Sequence, residues 1–550
     1  MARQQRASRQ KGVSLILGTA ALVFIIPMLG LTVDVGLLYA AKAKLQAAVD
    51  GASLAAARAL NLGQTTASQA ANAQQNAVNW FYANFPSGAW GTSSTVMSTS
   101  NVNVFDDPSN PHLRNVTVSA TTTVPTYFMK WFNVASTTIT SSGNASRRDA
   151  VVMMVLDRSG SMCAPGSQPC SSANTSSACA AMIKAAKLFT GQFAEGRDQI
   201  GLISYSSTVY VHSQPTTNFQ SVLGYTNNSG SATGALDAIK CAGGTGTAAG
   251  VSIAYNMLYQ TNLPGALNLV FLETDGLPNT VAMNFWDSTN TVAGIASGSN
   301  CTDNNGKKVS SNGFRTLSSL PNWTSGLSLT SSPFSSSASY LSDIPAGIVG
   351  SVSSADPGGA NNLFLMLPYF STTTSNDYNS NSYLGSSTAP GCAFDSSHTP
   401  STPPDIAWWP RQDAFGNYLN PPYTYQSVST DSQGHISNTG WTNFHAAVLN
   451  ATDYSAYQAR TNTTLPAYFF TIGLGGNSTN PPDPVLLQRM ANDPNGDTFN
   501  TPATYSACAD ETGCVTYTSQ PQGTFIYAPN QSQLAQAYLT ISSQILRLSK

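Results

Sequence analysis

Apolar residues follow different patterns in different parts of this chain. Residues 13–33, VSLILGTAALVFIIPMLGLTV, contain no charged side chain. That length of about 20 residues is what a helix needs to cross a bilayer. The helical spacing of Ala and Leu continues through residues 34–60, beyond the first acidic residue of the chain, Asp34. The pattern predicts one long helix that is embedded in a membrane at first and then exposed.

A second pattern begins after Gly63, which interrupts this helix. Helical spacing returns before Pro86, and then Thr and Val alternate in VNVF, NVTVSATTTV and STTITSSG. Strict alternation is typical of half-buried strands. We therefore expect a small antiparallel sheet after the helices, followed by a linker at residues 146–150.

A third pattern fills the rest of the chain. Unbroken apolar runs that end in polar residues, such as AVVMMVLD and LNLVFLETD, alternate with helical segments such as residues 178–193. Buried strands that alternate with helices predict an α/β fold, with a doubly wound, mostly parallel sheet covered on both faces. The chain closes with a predicted helix whose apolar positions are Leu534, Tyr538, Ile541, Ile545 and Leu548.

Oxygen-bearing side chains follow the predicted strands or open the helices between them. They are Asp157, Ser159, Ser161, Thr245 and Asp275, with Thr247 as an alternative to Thr245. The carboxyl ends of parallel strands meet at one edge of a sheet, so we expect these groups to converge. Two carboxylates at close range repel each other unless a cation lies between them. Oxygen ligands favour Mg²⁺, with Mn²⁺ or Ca²⁺ as alternatives.

Composition and charge indicate the compartment in which the chain is located. Charged residues make up 9% of it, against about 25% in ordinary soluble proteins, as is common in secreted and surface proteins. The net charge of -2 gives no basic patch for nucleic acid outside residues 1–12. The basic residues in that range predict a cytoplasmic N-terminus, with the bulk of the chain periplasmic or extracellular.

Eight cysteines are present, and none of them forms a C-x-x-C pair. Disulfides in an oxidising compartment are therefore expected in preference to a zinc site. Their connectivity stays open. Proximity alone suggests Cys163 with Cys170 and Cys508 with Cys514.

The first 60 residues resemble the N-terminal region of TadG-like proteins of Tad (Flp) pilus assembly. The resemblance rests on the glycine before the apolar run, on VDVG at its end and on LQAAVDGASLAAA. It implies a pilin-like stem and a bacterial cytoplasmic membrane. Leu17 stands where processed pilins carry Glu, so an uncleaved anchor is expected. A generic single-pass anchor is the alternative.

The D-x-S-x-S motif, the GGT loop and the later aspartate resemble the von Willebrand factor A (VWA) domain and its metal-ion-dependent adhesion site (MIDAS). The resemblance implies that Ser159, Ser161 and Thr245 contact the metal, and that Asp157 and Asp275 bind directly or through water. An open position would accept an acidic residue from a protein partner. GGT matches the family loop better at Thr245 than at Thr247.

Together these patterns divide the chain into a basic tail (1–12), a transmembrane helix (13–33), a stem (34–148), a VWA domain in two parts (149–283 and 441–550) and an insertion (284–440). The insertion is rich in Ser, Thr and Asn, and it is either a cap that shapes partner choice or a low-complexity spacer.

The predicted function is a non-enzymatic, membrane-anchored pilus-assembly or adhesion protein whose head binds a partner through Mg²⁺. Pilus-assembly components are among the expected partners. A surface adhesin without a pilus role is the alternative. A hydrolase is a minor one, since G-x-S-x-G, the P-loop lysine and H-E-x-x-H are all missing from the sequence.

Overall fold

The computed structural model describes residues 2–165, 167, 169–206, 209–225, 234–282, 348–350, 364–367, 382–384, 408–409, 411–413, 415–421, 424–430, 436–437, 441–477, 480–495 and 520–548. Only the backbone is described for residues 2–16, 24, 282, 437, 441 and the four strands between 348 and 409. The predicted pair Cys508–Cys514 and most of the predicted insertion lie outside the described residues. The chain forms two compact units, and the boundary between them along the sequence falls between Arg148 and Asp149.

Two helices open the first unit, α1 (Ala2–Ala59) and α2 (Thr66–Asn84). The single long helix predicted from the sequence is confirmed, and it continues through Pro27. A capping box between Thr65 and Ser68 starts α2, because these side chains satisfy backbone N–H groups that the first turn leaves free. In the described part of α1, the stretch that begins at Leu17 is long and apolar enough to span a membrane.

A four-stranded antiparallel sheet completes this unit: β1 (Ser93–Val96), β2 (Val102–Asp106), β3 (Leu113–Pro125) and β4 (Ser136–Arg148). Along β3, buried and half-buried residues alternate, as its Thr and Val pattern predicts. Its buried residues Val116 and Val118 share a core with Val49 of α1. Gly143 on β4 lets α1 approach closely, since a Cβ there would lie 2.8 Å from Oδ1 of Asp50.

The second unit contains the remaining elements. In chain order they are β5 (Ala150–Asp157), β6 (Cys170–Ser171), α3 (Ala178–Thr190), β7 (Gln199–Tyr205), β8 (Val209–Thr216), α4 (Phe219–Leu223), β9 (Lys240–Cys241), α5 (Thr247–Thr261), β10 (Leu267–Thr274), β11 (Thr280–Ala282), β12 (Ile348–Gly350), β13 (Phe364–Leu367), β14 (Ser382–Leu384), β15 (Trp408–Trp409), β16 (Ile436–Ser437), α6 (Trp441–Thr461), β17 (Tyr468–Leu474), α7 (Pro484–Ala491), β18 (Thr524–Ala528) and α8 (Gln531–Leu548).

The main sheet of this unit has the strand order β18-β17-β10-β5-β7-β8. All neighbours are parallel except β8, which runs antiparallel to β7. Every residue of β5 and β10 is buried, which explains their unbroken apolar runs. Helices α5, α6 and α7 cover one face, and α3 and α8 cover the other. The predicted doubly wound α/β fold is confirmed.

Part of the range predicted as an insertion packs on the same core. Phe415 and Tyr425 are buried in the cluster that contains α5 and α6. The side-chain amide of Asn417 donates to Oγ of Ser252 on α5, at 2.9 Å. Phe415, Asn417 and Tyr425 therefore help to cover one face of the main sheet.

Two disulfides lie in the described part of this unit, Cys163–Cys170 and Cys179–Cys241. The first is the pair that proximity suggested. The second joins residues 62 positions apart, so proximity in the sequence could not have suggested this pair. They are neighbours in space, because Cys170 and Cys241 pair across β6 and β9.

Candidate metal centre

Three loops meet at the carboxyl edge of the main sheet. The first follows β5 from Asp157, the second precedes α5, and the third follows β10 from Asp275. Strands β5 and β10 are parallel neighbours, with Leu156 opposite Glu273. This pairing brings the ends of the first and third loops side by side, as the parallel sheet predicts.

The two serines of the first loop reach the aspartate of the third. Ser161 Oγ donates to Asp275 Oδ1 at 2.6 Å. Ser159 Oγ lies 2.9 Å from Ser161 Oγ and 3.4 Å from Asp275 Oδ1. Three of the five residues predicted from the sequence therefore form one cluster of oxygen atoms.

Asp157 lies beside this cluster and is held from two sides. Its Oδ1 accepts from the backbone N–H of Ser159 at 2.7 Å, and its Oδ2 accepts from the hydroxyl of Thr274 at 2.7 Å. Thr274 is the last residue of β10 and immediately precedes Asp275. Thr274 thus links the Asp157 carboxylate of the first loop to the start of the third loop.

The loop that carries Thr245 is attached to both of the others by backbone hydrogen bonds. Gly160 N–H donates to Gly243 O at 2.8 Å, and Ala242 N–H donates to Arg158 O at 2.7 Å. On the other side, Asn279 Oδ1 accepts from Thr245 N–H at 2.7 Å. Thr245 is thereby held between the first and third loops.

Thr247, the alternative to Thr245, is the first residue of α5. Its hydroxyl is buried and has no hydrogen-bond partner among the described residues. It lines a small cavity that Thr274 and Gly276 also line. Both threonines therefore lie near the third loop, and only Thr245 sits in a loop that bonds to both aspartate-bearing segments.

Thr274, Asn279 and Glu273 also belong to this edge of the sheet, and none of them is part of a motif recognised in the sequence. The tripeptide ETD, residues 273–275, is a signal for Glu273 and Thr274. Three consecutive polar residues at the end of an apolar strand are unusual. Glu273 is fully buried, and neither of its carboxylate oxygens has a hydrogen-bond partner in the described structure. No local signal marks Asn279, whose role depends on the path of a separate loop.

Three buried carboxyl groups, those of Asp157, Glu273 and Asp275, lie at this edge. Burial raises the pKa of Asp157 and, together with the charge of Asp157, raises the pKa of Asp275 to about 8. Burial and both aspartates also raise the pKa of Glu273. None of these three carboxylates belongs to an ion pair of the described structure. Buried carboxylates of this kind are stabilised when a cation neutralises them.

The donor set therefore fits a hard divalent cation. It consists of carboxylate and hydroxyl oxygens only, and these are the ligands that Mg²⁺ prefers. The cysteines near the first and second loops are joined in disulfides, so they do not offer thiolates to a softer metal. An ion bound here would offset the repulsion between Asp157 and Asp275.

Comparison with known families agrees with this architecture. Residues 152–277 match the von Willebrand factor type A domain, and residues 12–59 match the Flp pilus-assembly TadE/G-like family. The chain joins a TadE/G-like N-terminus to a VWA domain. The TadE/G-like match and the apolar helix together indicate that the VWA unit belongs to a membrane-anchored protein. No match to the chain was found among curated proteins.

Solved structures similar to this chain include components of bacterial pili. The pilus adhesin SpaC from Lactobacillus rhamnosus GG is 12% identical, with a TM-score of 0.33, over 82% of this chain and 36% of SpaC. The vWF domain of the type V pili tip protein Mfa5 from Porphyromonas gingivalis is 15% identical, with a TM-score of 0.31, over 74% of this chain and 98% of that domain. The PilB minor pilin from Streptococcus sanguinis is 11% identical, with a TM-score of 0.30, over 84% of this chain and 80% of PilB. This chain thus spans about a third of the length of SpaC, and scores of this size carry no functional argument.

Proposed function

We propose that the VWA unit binds Mg²⁺ through Asp157, Ser159, Ser161, Thr245 and Asp275, and that the bound ion accepts an acidic side chain of a protein partner. The N-terminal helix would anchor the chain in the bacterial cytoplasmic membrane, with the VWA unit on the outer side. The protein would act in pilus assembly or adhesion and would not be an enzyme.

One observation carries the metal assignment: Ser161 Oγ and Asp275 Oδ1 lie 2.6 Å apart, next to a second buried carboxylate. Hydroxyl oxygens and two carboxylates form an oxygen-only site where a cation is favourable. When bound, Mg²⁺ would supply positive charge for an incoming carboxylate. The hydrogen bonds from Thr274 and from the Ser159 N–H would keep Asp157 oriented toward the ion.

The pilus assignment draws on the TadE/G-like match at residues 12–59. The cytoplasmic position of the N-terminus draws on Arg3, Arg6, Arg9 and Lys11, which flank the apolar run. Residues 34–148 would then form the stem outside the membrane.

A hydrolase is the less favoured alternative, and one Ser–His contact could be taken for part of a catalytic site. Ser204 Oγ lies 2.7 Å from Nε2 of His212. Burial, with a contribution from the charge of Arg158, lowers the pKa of His212 to about 3. An imidazole that binds a proton so weakly is a poor general base near neutral pH. This pair therefore supports a structural role for Ser204 and His212.

The metal assignment is tested by titrating the detergent-solubilised full chain with Mg²⁺ in a calorimeter. Asp157→Ala is expected to abolish binding with the fold intact by circular dichroism. Asp237→Asn is the matched control, because it removes a carboxylate paired with Lys187 and should leave Mg²⁺ affinity unchanged. Equal Mg²⁺ affinity in wild type and Asp157→Ala would overturn the assignment.

The partner assignment is tested by crosslinking in cells that express the full chain, followed by purification with and without EDTA. We expect pilus-assembly components to co-purify, and we expect EDTA or Asp157→Ala to release them. Recovery of surface partners without any pilus component would favour the adhesin without a pilus role.

A further inference from the structure

The turn between β3 and β4 exposes bulky apolar side chains to an unusual degree. We call residues 126–135 the aromatic turn. Tyr127 is 54% exposed, Trp131 77%, Phe132 68% and Val134 38%. Single exposed apolar residues are normal on a soluble surface, but a contiguous group with two adjacent aromatic rings marks an interaction site.

The aromatic turn is fixed to one level of α1. The carboxylate of Asp34 accepts hydrogen bonds from the backbone N–H groups of Tyr127, Phe128 and Met129, at 2.8, 2.8 and 2.6 Å. The Phe128 ring also covers Gly30, where a Cβ would lie 2.3 Å from Cδ1 of the ring. These contacts prevent the turn from sliding along the helix.

That level is the end of the apolar run of α1. Asp34 is the first charged residue after the uncharged stretch 13–33, and Gly30 lies about 6 Å before it along the helix. The side chains of Leu29, Leu31 and Val33 in this last part are 61%, 45% and 52% exposed. The aromatic turn therefore lies beside α1 where a stretch of this length would leave the hydrocarbon of a bilayer.

The same end of the stem carries one more exposed aromatic residue. The pairing of Ser93 with Thr123 brings the start of β1 to the end of β3, and Gly91 approaches Pro125. Trp90, which precedes Gly91, is 55% exposed. Exposed aromatic residues from two separate segments thus gather at the end of the sheet next to the apolar run.

We propose that the aromatic turn inserts into the interfacial layer of the same bilayer that α1 crosses, on the side where α1 emerges. This inference rests on the part of the proposed function that places α1 across the membrane. Tyr and Trp are favoured at the lipid–water interface, where their apolar rings are buried and their polar atoms stay hydrated. The stem would then contact the membrane at two points, the helix and the turn, and this would restrict its tilt.

The test uses the full chain, labelled with 5-fluorotryptophan, in lipid nanodiscs of phosphatidylethanolamine and phosphatidylglycerol. Loss of one fluorine resonance in Trp131→Phe assigns Trp131. We expect a lipid that carries a nitroxide near its headgroup to broaden this resonance at least several-fold more than a water-soluble gadolinium chelate does. The chain has 8 tryptophans, so individual resonances can be resolved.

Trp80 is the matched control. Trp80 is 49% exposed and packs against Gly51. Gly51 lies about 25 Å farther along α1 than Asp34 does. Its resonance, assigned with Trp80→Phe, should respond to the gadolinium chelate and not to the lipid nitroxide.

Each other result overturns the inference. A Trp131 resonance broadened mainly by the chelate would place the turn in water. A resonance insensitive to both agents would mean that protein covers the turn. Alkaline extraction of the membranes separates the two proposals: release of the chain would contradict the anchor itself, whereas a retained chain with a water-exposed Trp131 would contradict only the inserted turn.

Discussion

The hydroxyl of Ser161 donates a 2.6 Å hydrogen bond to Oδ1 of Asp275, a residue 114 positions later in the chain. This contact joins the loop after β5 to the loop after β10. It places a hydroxyl and a carboxylate in one cluster that also holds Ser159, with Asp157 beside it. The charge and hydrogen bonding around this cluster lead to specific expectations.

Asp275→Asn should stabilise the metal-free chain while it abolishes Mg²⁺ binding. The folded-state pKa of Asp275 is raised from 3.8 to about 8, so the wild type loses stability as pH rises through this interval. The uncharged amide escapes this loss and can still accept from Ser161. We expect a gain of at least about 1 kcal/mol at pH 7.5 that shrinks toward pH 4.

Hydrogen exchange of the β5 and β10 amides in EDTA measures this effect. Asp237→Asn, which breaks the ion pair with Lys187, is the control and should give a small loss of stability. A loss of stability in Asp275→Asn of the size expected for a broken core contact would contradict the account of charge repulsion.

His212 should make the second unit sensitive to acid. The pKa of His212 is 6.5 in the unfolded chain and about 3 in the folded chain. The contribution of the neutral imidazole to the free energy of unfolding is therefore fully present above pH 6.5, and it is lost as the pH falls toward 3. The loss is about 1.4 kcal/mol for each pH unit in this range.

His212→Gln should flatten this dependence, as measured by exchange of the β7 amides between pH 4 and pH 7. His112→Gln in the first unit is the control and should leave the pH dependence of those amides unchanged. An equal acid sensitivity in His212→Gln and wild type would assign the effect to other groups.

The disulfide Cys179–Cys241 should stabilise the fold more than Cys163–Cys170. Their sequence separations are 62 and 7, and closing the longer loop restricts the unfolded chain more. Loop entropy gives about 4 kcal/mol for the first and about 2 kcal/mol for the second. Paired Cys→Ala substitutions, compared by urea unfolding, measure the difference, and a larger effect of the shorter loop would contradict it.

Asp34→Ala should release the aromatic turn without unfolding the stem. The substitution removes the acceptor of three backbone N–H groups, at Tyr127, Phe128 and Met129. We expect these amides to exchange at least about tenfold faster, because the three lost hydrogen bonds hold one turn together and contribute about 1 kcal/mol each.

Asp107→Ala is the control for this variant, since Asp107 likewise caps a turn, through Ser109 and Asn110, at the opposite end of β3. Exchange at Tyr127–Met129 should be unchanged in that variant. If Asp34→Ala left their exchange unchanged as well, the carboxylate would not be what holds the turn.

Much of the fold could be predicted from local patterns. The Ala- and Leu-rich spacing over residues 34–60 predicted the continuation of α1, and the alternation in NVTVSATTTV predicted β3. The apolar runs before Asp157 and Asp275 predicted two buried parallel strands. These patterns suffice because the position of a side chain on a helix or strand depends on its near neighbours in sequence.

Local sequence patterns were enough to locate the end of β5 at Asp157 and the end of β10 just before Asp275. They also predicted the helix that could enter a membrane and the oxygen-rich chemistry of the first loop. The contact of Ser161 with Asp275, the disulfide between Cys179 and Cys241 and the hydrogen bond of Asp34 to the turn at Tyr127 follow only from the packed fold. The difference lies in the range of the forces involved. Periodicity is set within a few residues, whereas a hydrogen bond between distant segments exists only after the whole sheet and its helices have packed.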